Sequence, residues 1–395
     1  MKNKKVFLTL IAAAILIKLS FFFFSTLHAP SRRIDPDSVG YLNIATQLSS
    51  RGVFEERTAE GAVVPGVLRT PGYPLFLAVL HGGLKLPLAG VVFIQILLTL
   101  LAAWIVSKTA ALIDPATALL SGFIMLYDPT IAIVSLRILT ESLYLFFLAF
   151  SLYAFIVYLK NGKILPLLAG ALLLVAATYV RPISYYLGAV IAIFMLYANP
   201  PRNRKRVFLH VLIFFVIVYG LLALWQIRNA RCCGETDFAT IARSNFSGYG
   251  LVHNYFSWDQ ASWAGNIVSV VRGIFVAMLS FINFLICSVS FKYLGWRPLQ
   301  VAGRILSYVW MFFWLAGFLA GVYKAWKNVL YQFLLLILLY FSGATVLNLS
   351  DTLEARLKIP VVPCLAIFSA YGWTCLWPWI MGWLEKNRPK KSFAK

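Results

Sequence analysis

Acidic side chains are scarce in this sequence, and several of them lie close together near its start. The 395 residues include only 14 Asp and Glu, and five of these fall between positions 28 and 72: Asp35, Asp37, Glu55, Glu56 and Glu60. A positioned carboxylate can take a proton from an attacking hydroxyl or amine. The Asp35-Pro36 step is typical of a helix start, so Asp35 is expected to cap a helix. Asp37, in the first turn, is the better candidate for a general base.

Asp128 is the second candidate for catalysis, and two further acids and one tyrosine are candidates for orienting an acceptor or a cation. Asp128 precedes a proline, so it caps a second helix or faces Asp37 across a cavity. Glu141 lies four residues after Arg137, and the spacing predicts a pair on one helix face. Ionisable residues at membrane depth normally face an interior cavity, which keeps a functional role for Glu141 open. Asp35 and Tyr41 complete this group.

Five cations at predicted helix ends are candidates for binding a phosphate, which the planar guanidinium group does well. They are Arg69, Arg181, Arg228, Arg356 and Lys358. The alternative for each is a contact with lipid headgroups. His81 and His253 are isolated and are expected to be structural. The sequence contains no compact ligand cluster for a metal, so a requirement for a divalent cation is left open.

The composition indicates that these residues are positioned by membrane-spanning helices. The chain is 61% hydrophobic and only 12% charged, against about 25% charged in soluble domains. Apolar runs of about 20 residues, long enough to span a hydrocarbon core of about 30 Å, recur along the chain. We therefore predict an all-α polytopic membrane protein of about 10–11 transmembrane helices. Because both termini are predicted to be inside, the number of crossings must be even. We therefore expect residues 267–290 not to make a simple crossing but to be re-entrant or to lie at the outer interface.

The net charge of +21 comes from short basic clusters between the apolar runs. Such clusters are typical of topology signals and headgroup contacts, so we do not predict nucleic-acid binding. They place both termini inside, with a large first outer loop at 28–72 that carries short interfacial helices. A second outer loop and interfacial segment is predicted at 227–304. One domain covers 1–383, followed by a basic cytoplasmic tail at 384–395.

The five cysteines show no C-x-x-C spacing, which excludes a zinc-ribbon or thioredoxin-like site. Cys287, Cys364 and Cys375 lie in apolar runs and are expected to be packing residues. Cys232 and Cys233 are adjacent in a predicted loop, and a disulfide involving either one is left open.

The order of several short motifs resembles the GT-C membrane glycosyltransferases. The motifs are Asp37 to Tyr41, Arg-Thr-Pro-Gly-Tyr-Pro (69–74), Asp-Pro (128–129), Leu-Thr-Glu-Ser-Leu (139–143), Arg-Pro (181–182), Arg-Asn (228–229) and Glu-Ala-Arg-Leu-Lys-Ile-Pro-Val-Val-Pro (354–363). The most similar branch contains the bacterial aminoarabinose transferases to lipid A and the protein O-mannosyltransferases, which are family-39-like. The resemblance covers most of residues 1–380. The chain departs from the pattern in having Leu357 where an aromatic residue is usual, and in its short tail without a soluble domain.

This resemblance implies an inverting enzyme that takes a sugar from a polyprenyl-phosphate carrier. The acceptor would be a lipid, a glycan or a protein, at the periplasmic or exterior face of a bacterial inner membrane. Asp37 matches the base or acceptor-orienting aspartate, Asp128 the second acidic position, and Arg181, Arg228 and Arg356 match carrier-phosphate ligands. Some relatives bind a divalent cation. A transporter or flippase of a lipid-linked sugar, or a surface-polysaccharide polymerase or ligase, is the alternative. The sequence does not predict the sugar or the acceptor.

Overall fold

The computed structural model describes residues 2–28, 33–57, 61–198, 204–240, 297–347 and 355–386, and these are almost entirely helical. The helices are α1 (Lys2–His28), α2 (Pro36–Arg51), α3 (Gly72–Leu77, continued by a π-helical turn at Ala78–Gly83), α4 (Leu88–Ile113), α5 (Ala118–Tyr127), α6 (Pro129–Val134), α7 (Glu141–Asn161), α8 (Ile164–Val180), α9 (Leu187–Ala198), α10 (Arg204–Cys233), α11 (Arg297–Ala325), α12 (Val329–Leu347) and α13 (Val362–Lys386). Short 3-10 turns lie at Pro115–Thr117, Pro182–Ser184 and Ala355–Val361. Strands β1 (Glu55–Arg57) and β2 (Val63–Pro65) form an antiparallel hairpin.

Ten apolar helices account for the bundle in the described part of the chain. Five, in α4, α7, α10, α11 and α13, are long and apolar enough to cross a membrane. Five shorter apolar helices lie within 9–23, 115–127, 164–180, 182–198 and 329–345. The prediction of an all-α polytopic membrane protein is confirmed. The segment 267–290, which is expected not to make a simple crossing, lies outside the described residues.

Close helix packing in the bundle depends on glycine at one crossing. Gly317 and Gly321 are spaced four apart on α11, and both face Gly372 of α13. A Cβ atom added at Gly372 would overlap the backbone of α11. Small residues at this spacing let two membrane helices approach closely and gain van der Waals contact. The arrangement fixes α13 and, with it, the turn at 355–361 that precedes it.

The first loop is built around the short helix α2, as the sequence predicts. Its N-cap is Asp35, whose N–H donates to Ser38 Oγ at 2.9 Å. It ends at Gly52, which has a φ of 71° and donates its N–H to the Leu48 carbonyl at 3.1 Å. Glycine adopts this left-handed conformation without a steric penalty, which explains the stop.

Three hydrogen bonds fasten this loop to the helix bundle. Ser38 Oγ donates to the Ile138 carbonyl at 2.8 Å, and the Ile138 N–H donates to the Arg33 carbonyl at 2.9 Å. Thr70 Oγ1 donates to the Val180 carbonyl, at the end of α8, at 3.1 Å. Because these bonds involve buried backbone groups, the loop residues on either side are held in fixed positions over the bundle.

Candidate active site

Asp37 lies between two arginines that come from distant parts of the chain. Arg356 Nη1 is 3.0 Å from Asp37 Oδ2, and Arg69 Nη2 is 3.4 Å from Asp37 Oδ1. Asp37 comes from the first turn of α2, Arg69 from just before α3, and Arg356 from the 3-10 turn at 355–361. The Asp37 side chain remains 38% exposed, whereas the Arg69 side chain is 13% exposed. We call these three residues the Asp37 cluster.

The position of Arg69 is fixed by neighbouring residues of the first loop. Its guanidinium carbon lies 4.3 Å from the ring centroid of Tyr41, one helical turn after Asp37, in a cation–π contact. The guanidinium also lies over Gly40, where an added Cβ would come within 2.9–3.1 Å of it. The Arg69 N–H donates to Glu56 Oε1 at 3.3 Å. Gly40 and Tyr41 together form the surface on which Arg69 rests.

Two opposing effects set the pKa of Asp37. Partial burial alone would raise this pKa, but the positive charges and hydrogen bonds of Arg356 and Arg69 outweigh burial and lower it. In the same loop, burial raises the pKa of Glu56. Asp37 is therefore ionised over the physiological range. A carboxylate with a lowered pKa is a weak base for as long as both arginines face it.

Two other carboxylates predicted to be functional form buried ion pairs. Asp35 pairs with Arg137 Nη2, with side chains 10% and 13% exposed. Glu141 Oε1 lies 2.7 Å from Arg181 Nη1, with side chains 3% and 18% exposed. The expectation that Arg137 and Glu141 pair with each other is wrong. Residues 135–140 are not helical and α7 begins only at Glu141, so the two side chains do not share a helix face.

Asp128 takes the helix-capping role that was one of its two expected roles. It precedes α6, and its Oδ1 accepts the Ile131 N–H at 3.0 Å. The residue is 7% exposed, and the positive charges of Lys358 and Lys18 act on its carboxylate. Lys358 belongs to the same 3-10 turn as Arg356. This turn thus directs one cation to Asp37 and another toward Asp128.

Arg228 stabilises the β1–β2 hairpin of the first loop. Its guanidinium donates to the carbonyl groups of Phe54 and Gly66 and lies 4.8 Å from the ring centroid of Trp225. Backbone carbonyls at the hairpin ends are thereby satisfied by the end of α10. A guanidinium used in this way keeps the loop shape fixed near Arg69.

Comparisons with known proteins establish what this arrangement of helices is. No protein-family profile matches the sequence, and no curated protein matches it either. The structure resembles the archaeal oligosaccharyltransferase AglB from Archaeoglobus fulgidus, in complex with an inhibitory peptide and a dolichol-phosphate, with a TM-score of 0.56 and 12% identity over 100% of this chain and 53% of that one. For ArnT from Cupriavidus metallidurans in the apo state the TM-score is 0.53, with 14% identity over 96% of this chain and 62% of that one. The fold is that of the GT-C membrane glycosyltransferases.

The chain spans about half to three-fifths of the length of these GT-C structures. A third structure, AglB tethered with an acceptor peptide containing the NVT sequon, has a TM-score of 0.58 and 13% identity over 98% of this chain. At such identities the likeness establishes the GT-C fold alone. The roles of individual residues have to be argued from their contacts.

Within this GT-C fold, sequence reasoning missed one buried cation and left the metal question open. Lys18, inside α1, is 4% exposed, and its Nζ has no hydrogen-bond partner among the described residues. The feature of the sequence that could have indicated this buried cation is a lysine within the first apolar run. The described residues contain no group of three or more His, Cys, Asp or Glu that could hold a metal ion.

The remaining histidines and cysteines have simpler positions. His81 Nδ1 lies 2.7 Å from the Leu86 carbonyl, in a local turn contact. Cys232 and Cys233 both carry free thiols, as do Cys364 and Cys375. His253 and Cys287 lie outside the described residues.

Proposed function

We propose that this chain is an integral membrane glycosyltransferase that moves a sugar from a polyprenyl-phosphate carrier to a lipid, glycan or protein acceptor. The observation that carries the proposal is the Asp37 cluster, in which an accessible carboxylate lies between two arginines where the first loop meets a GT-C bundle. The dolichol-phosphate bound by AglB supports a lipid-linked donor. The basic clusters of the sequence support an outer-facing site in a bacterial inner membrane.

The chemistry needs two functions that the cluster can supply together. The acceptor oxygen or nitrogen attacks the anomeric carbon from the face opposite the phosphate, with inversion. The bond from that carbon to the phosphate oxygen breaks, and polyprenyl phosphate leaves with the bonding electrons. Arg69 and Arg356 stabilise the negative charge that develops on the phosphate. Asp37 orients the acceptor and receives its proton.

Because Arg69 and Arg356 both contact Asp37, binding of the donor phosphate would change the pKa of Asp37 directly. A donor phosphate competes with Asp37 for the same two guanidinium groups. As Arg69 and Arg356 turn to the phosphate, their pull on the carboxylate weakens, and the pKa of Asp37 rises from its lowered value. Asp37 thereby becomes a better base after the donor has bound, which favours an order in which the donor binds before the acceptor.

The other residues singled out in the sequence take supporting roles in this proposal. Arg181 and Arg228 hold the loop and helix ends through Glu141 and the hairpin carbonyls. Lys358 and Asp128 position the turn that carries Arg356. Tyr41 supports Arg69. A divalent cation is not needed for this scheme, because arginines meet the phosphate charge.

The test compares Asp37→Asn with Glu55→Gln, which removes a carboxylate from the same loop outside the cluster. Purified full-length protein receives polyprenyl-phosphate sugars and a panel of lipid, glycan and peptide acceptors, and released polyprenyl phosphate is measured. We expect Asp37→Asn to lower the transfer rate by about 10²- to 10⁴-fold, the usual range for a positioned acid or base. Glu55→Gln should stay within about twofold, since the cluster is intact. A folded Asp37→Asn protein with the wild-type rate would refute the assignment.

The same preparation, reconstituted in vesicles, separates the proposal from its rivals. Transfer of the intact lipid-linked sugar across the bilayer without cleavage would support a transporter or flippase. Lengthened glycans formed from a pyrophosphate-linked donor would support a polymerase or ligase. Release of polyprenyl phosphate that depends on an acceptor supports the glycosyltransferase.

A further inference from the structure

A second candidate binding site lies at the other end of the bundle from the Asp37 cluster. It is a cavity of about 530 Å³, where α4 and α11 end, α12 begins and α13 passes. Gln95, which donates to the Arg137 carbonyl, marks the loop end of α4, and Ile113 at the far end lines the cavity. At about 1.5 Å of rise per residue, these positions are about 27 Å apart along the helix axis. The cavity is therefore separate from the proposed site of transfer.

The cavity is lined by a tyrosine whose hydroxyl lacks a well-formed hydrogen bond. Tyr331 is 3% exposed, and its hydroxyl lies close to Thr117 but makes no hydrogen bond of normal geometry among the described residues. Its ring packs against Tyr371, with ring centroids 4.8 Å apart, and against Phe368. Buried hydroxyl groups normally form hydrogen bonds, and leaving one unpaired is unfavourable. The Tyr331 hydroxyl thus points to a ligand atom that accepts a hydrogen bond.

Two lysines at the rim indicate that the ligand is an anion. Lys324 and Lys327 line the cavity and are exposed. The acidic residue in the lining, Asp114, already accepts the Ala116 N–H through its Oδ1 at 3.0 Å. Lys160 of α7 reaches the Leu112 carbonyl beside the cavity, so a further positive charge lies close to it. The lining supplies ammonium groups, a hydroxyl donor and an excess of positive charge.

The surroundings favour a lipid over a small soluble anion. Tyr323 and Trp326 flank the lysines and are 79% and 59% exposed. Such aromatic side chains occur at the level of the headgroups in membrane proteins. Basic pockets between transmembrane helices are known to bind anionic headgroups.

We propose that this cavity binds the phosphate of an anionic phospholipid headgroup. Lys324 and Lys327 contact the phosphate oxygens, the Tyr331 hydroxyl donates a hydrogen bond to one of them, and the acyl chains run along the helices beside Trp326. The proposal does not depend on the glycosyltransferase activity.

The test uses full-length protein in detergent, with phosphatidylglycerol and phosphatidylcholine as probes and native mass spectrometry to measure retained lipid. We expect the wild type to prefer phosphatidylglycerol. Lys324→Gln/Lys327→Gln should weaken that binding by about 25-fold, from about fivefold for each lysine near an anionic headgroup. Tyr331→Phe should weaken it severalfold, because the hydroxyl donor to the phosphate is lost.

The matched control is Lys163→Gln/Lys205→Gln, which removes two exposed charges at the same end of the bundle outside the cavity. It should leave phosphatidylglycerol affinity within about twofold of wild type. If the two double variants lose the same affinity for phosphatidylglycerol, the lipid is attracted by general surface charge and the proposed site is wrong. Displacement of phosphatidylglycerol from the wild type by inorganic phosphate would overturn the lipid assignment. Unchanged affinity in Lys324→Gln/Lys327→Gln, whose exposed positions leave the packing intact, would refute the proposal as a whole.

Discussion

Replacing Arg356 by glutamine tests whether the arginines of the Asp37 cluster serve catalysis or folding. The Nη1–Oδ2 distance of 3.0 Å is the shorter of the two contacts to Asp37, so Arg356 is its closer partner. The Asp37 side chain is 38% exposed, and ion pairs this open to solvent contribute about 0.2–1 kcal/mol to stability. The variant should therefore fold, with a loss of stability below about 1 kcal/mol.

The expected effect on transfer is larger, because the bound donor excludes water from the site. A hydrogen bond to a charged group in such a setting contributes about 1.5–3 kcal/mol, which corresponds to about a 10- to 150-fold loss in kcat/KM at 1.4 kcal/mol per factor of ten. Arg69→Gln should cause a smaller loss, since its contact is longer, at 3.4 Å. The contrast between a small stability change and a large activity change identifies a group that acts on the reacting phosphate.

The pH dependence of the variant gives an independent readout. The pKa of Asp37 is lowered in the wild type, so the ionised carboxylate persists until the pH falls through that lowered value. Arg356→Gln removes a positive charge that lowers this pKa, so the pKa rises. The acid limb of the kcat/KM profile should move to higher pH.

The assay measures initial rates of polyprenyl-phosphate release over an acid-to-neutral pH series. The control is Arg304→Gln, an exposed arginine on α11 that forms no ion pair with any of the described residues. It should leave both the rate and the acid limb unchanged. If Arg356→Gln loses less than about fivefold in kcat/KM and keeps the wild-type acid limb, the reasoning about the cluster is wrong.

Two further predictions concern packing and buried charge. Gly372→Ala places a methyl group against the backbone at Gly317, so it should lower stability by about 1–3 kcal/mol. Gly382→Ala on the same helix, with open space around it, should be neutral or slightly stabilising. Thermal unfolding in detergent measures both variants, and equal effects would contradict the close crossing. Glu141→Gln leaves Arg181 buried without its carboxylate and should cost about 3–5 kcal/mol. The double variant Glu141→Gln/Arg181→Gln should recover part of that loss, and a double variant as unstable as the sum of both changes would contradict a direct pair.

Local signals in the sequence were sufficient to predict the elements that present the site. Asp35-Pro36 predicts the start of α2, which is observed, and the helix ends where Gly52 takes the left-handed conformation. These signals are reliable because capping and the left-handed conformation of glycine involve only neighbouring residues. The apolar runs predicted the bundle for a similar reason, since each helix satisfies its own backbone in lipid.

Charge partners could not be predicted from local spacing. Arg137 and Glu141 have the spacing of a helical pair, but the chain between them is irregular, and their partners are Asp35 and Arg181. The Asp37–Arg356 contact joins residues 319 positions apart, which no periodicity reveals. Only the packing of the 355–361 turn under the first loop brings these two groups together.

Solvent exposure, rather than residue type, distinguishes Asp37 from the other two carboxylates that pair with arginine. Asp35 and Glu141 each form an ion pair with arginine, but their side chains are 10% and 3% exposed, so an acceptor cannot reach them without breaking buried structure. Asp37 has two arginines and is still 38% exposed. Separating a buried ion pair would leave an uncompensated charge in the protein interior, so such a pair stays intact. Because Asp37 is accessible, a donor phosphate can replace its carboxylate as the partner of Arg69 and Arg356. We propose that this exchange couples donor binding to the basicity of Asp37.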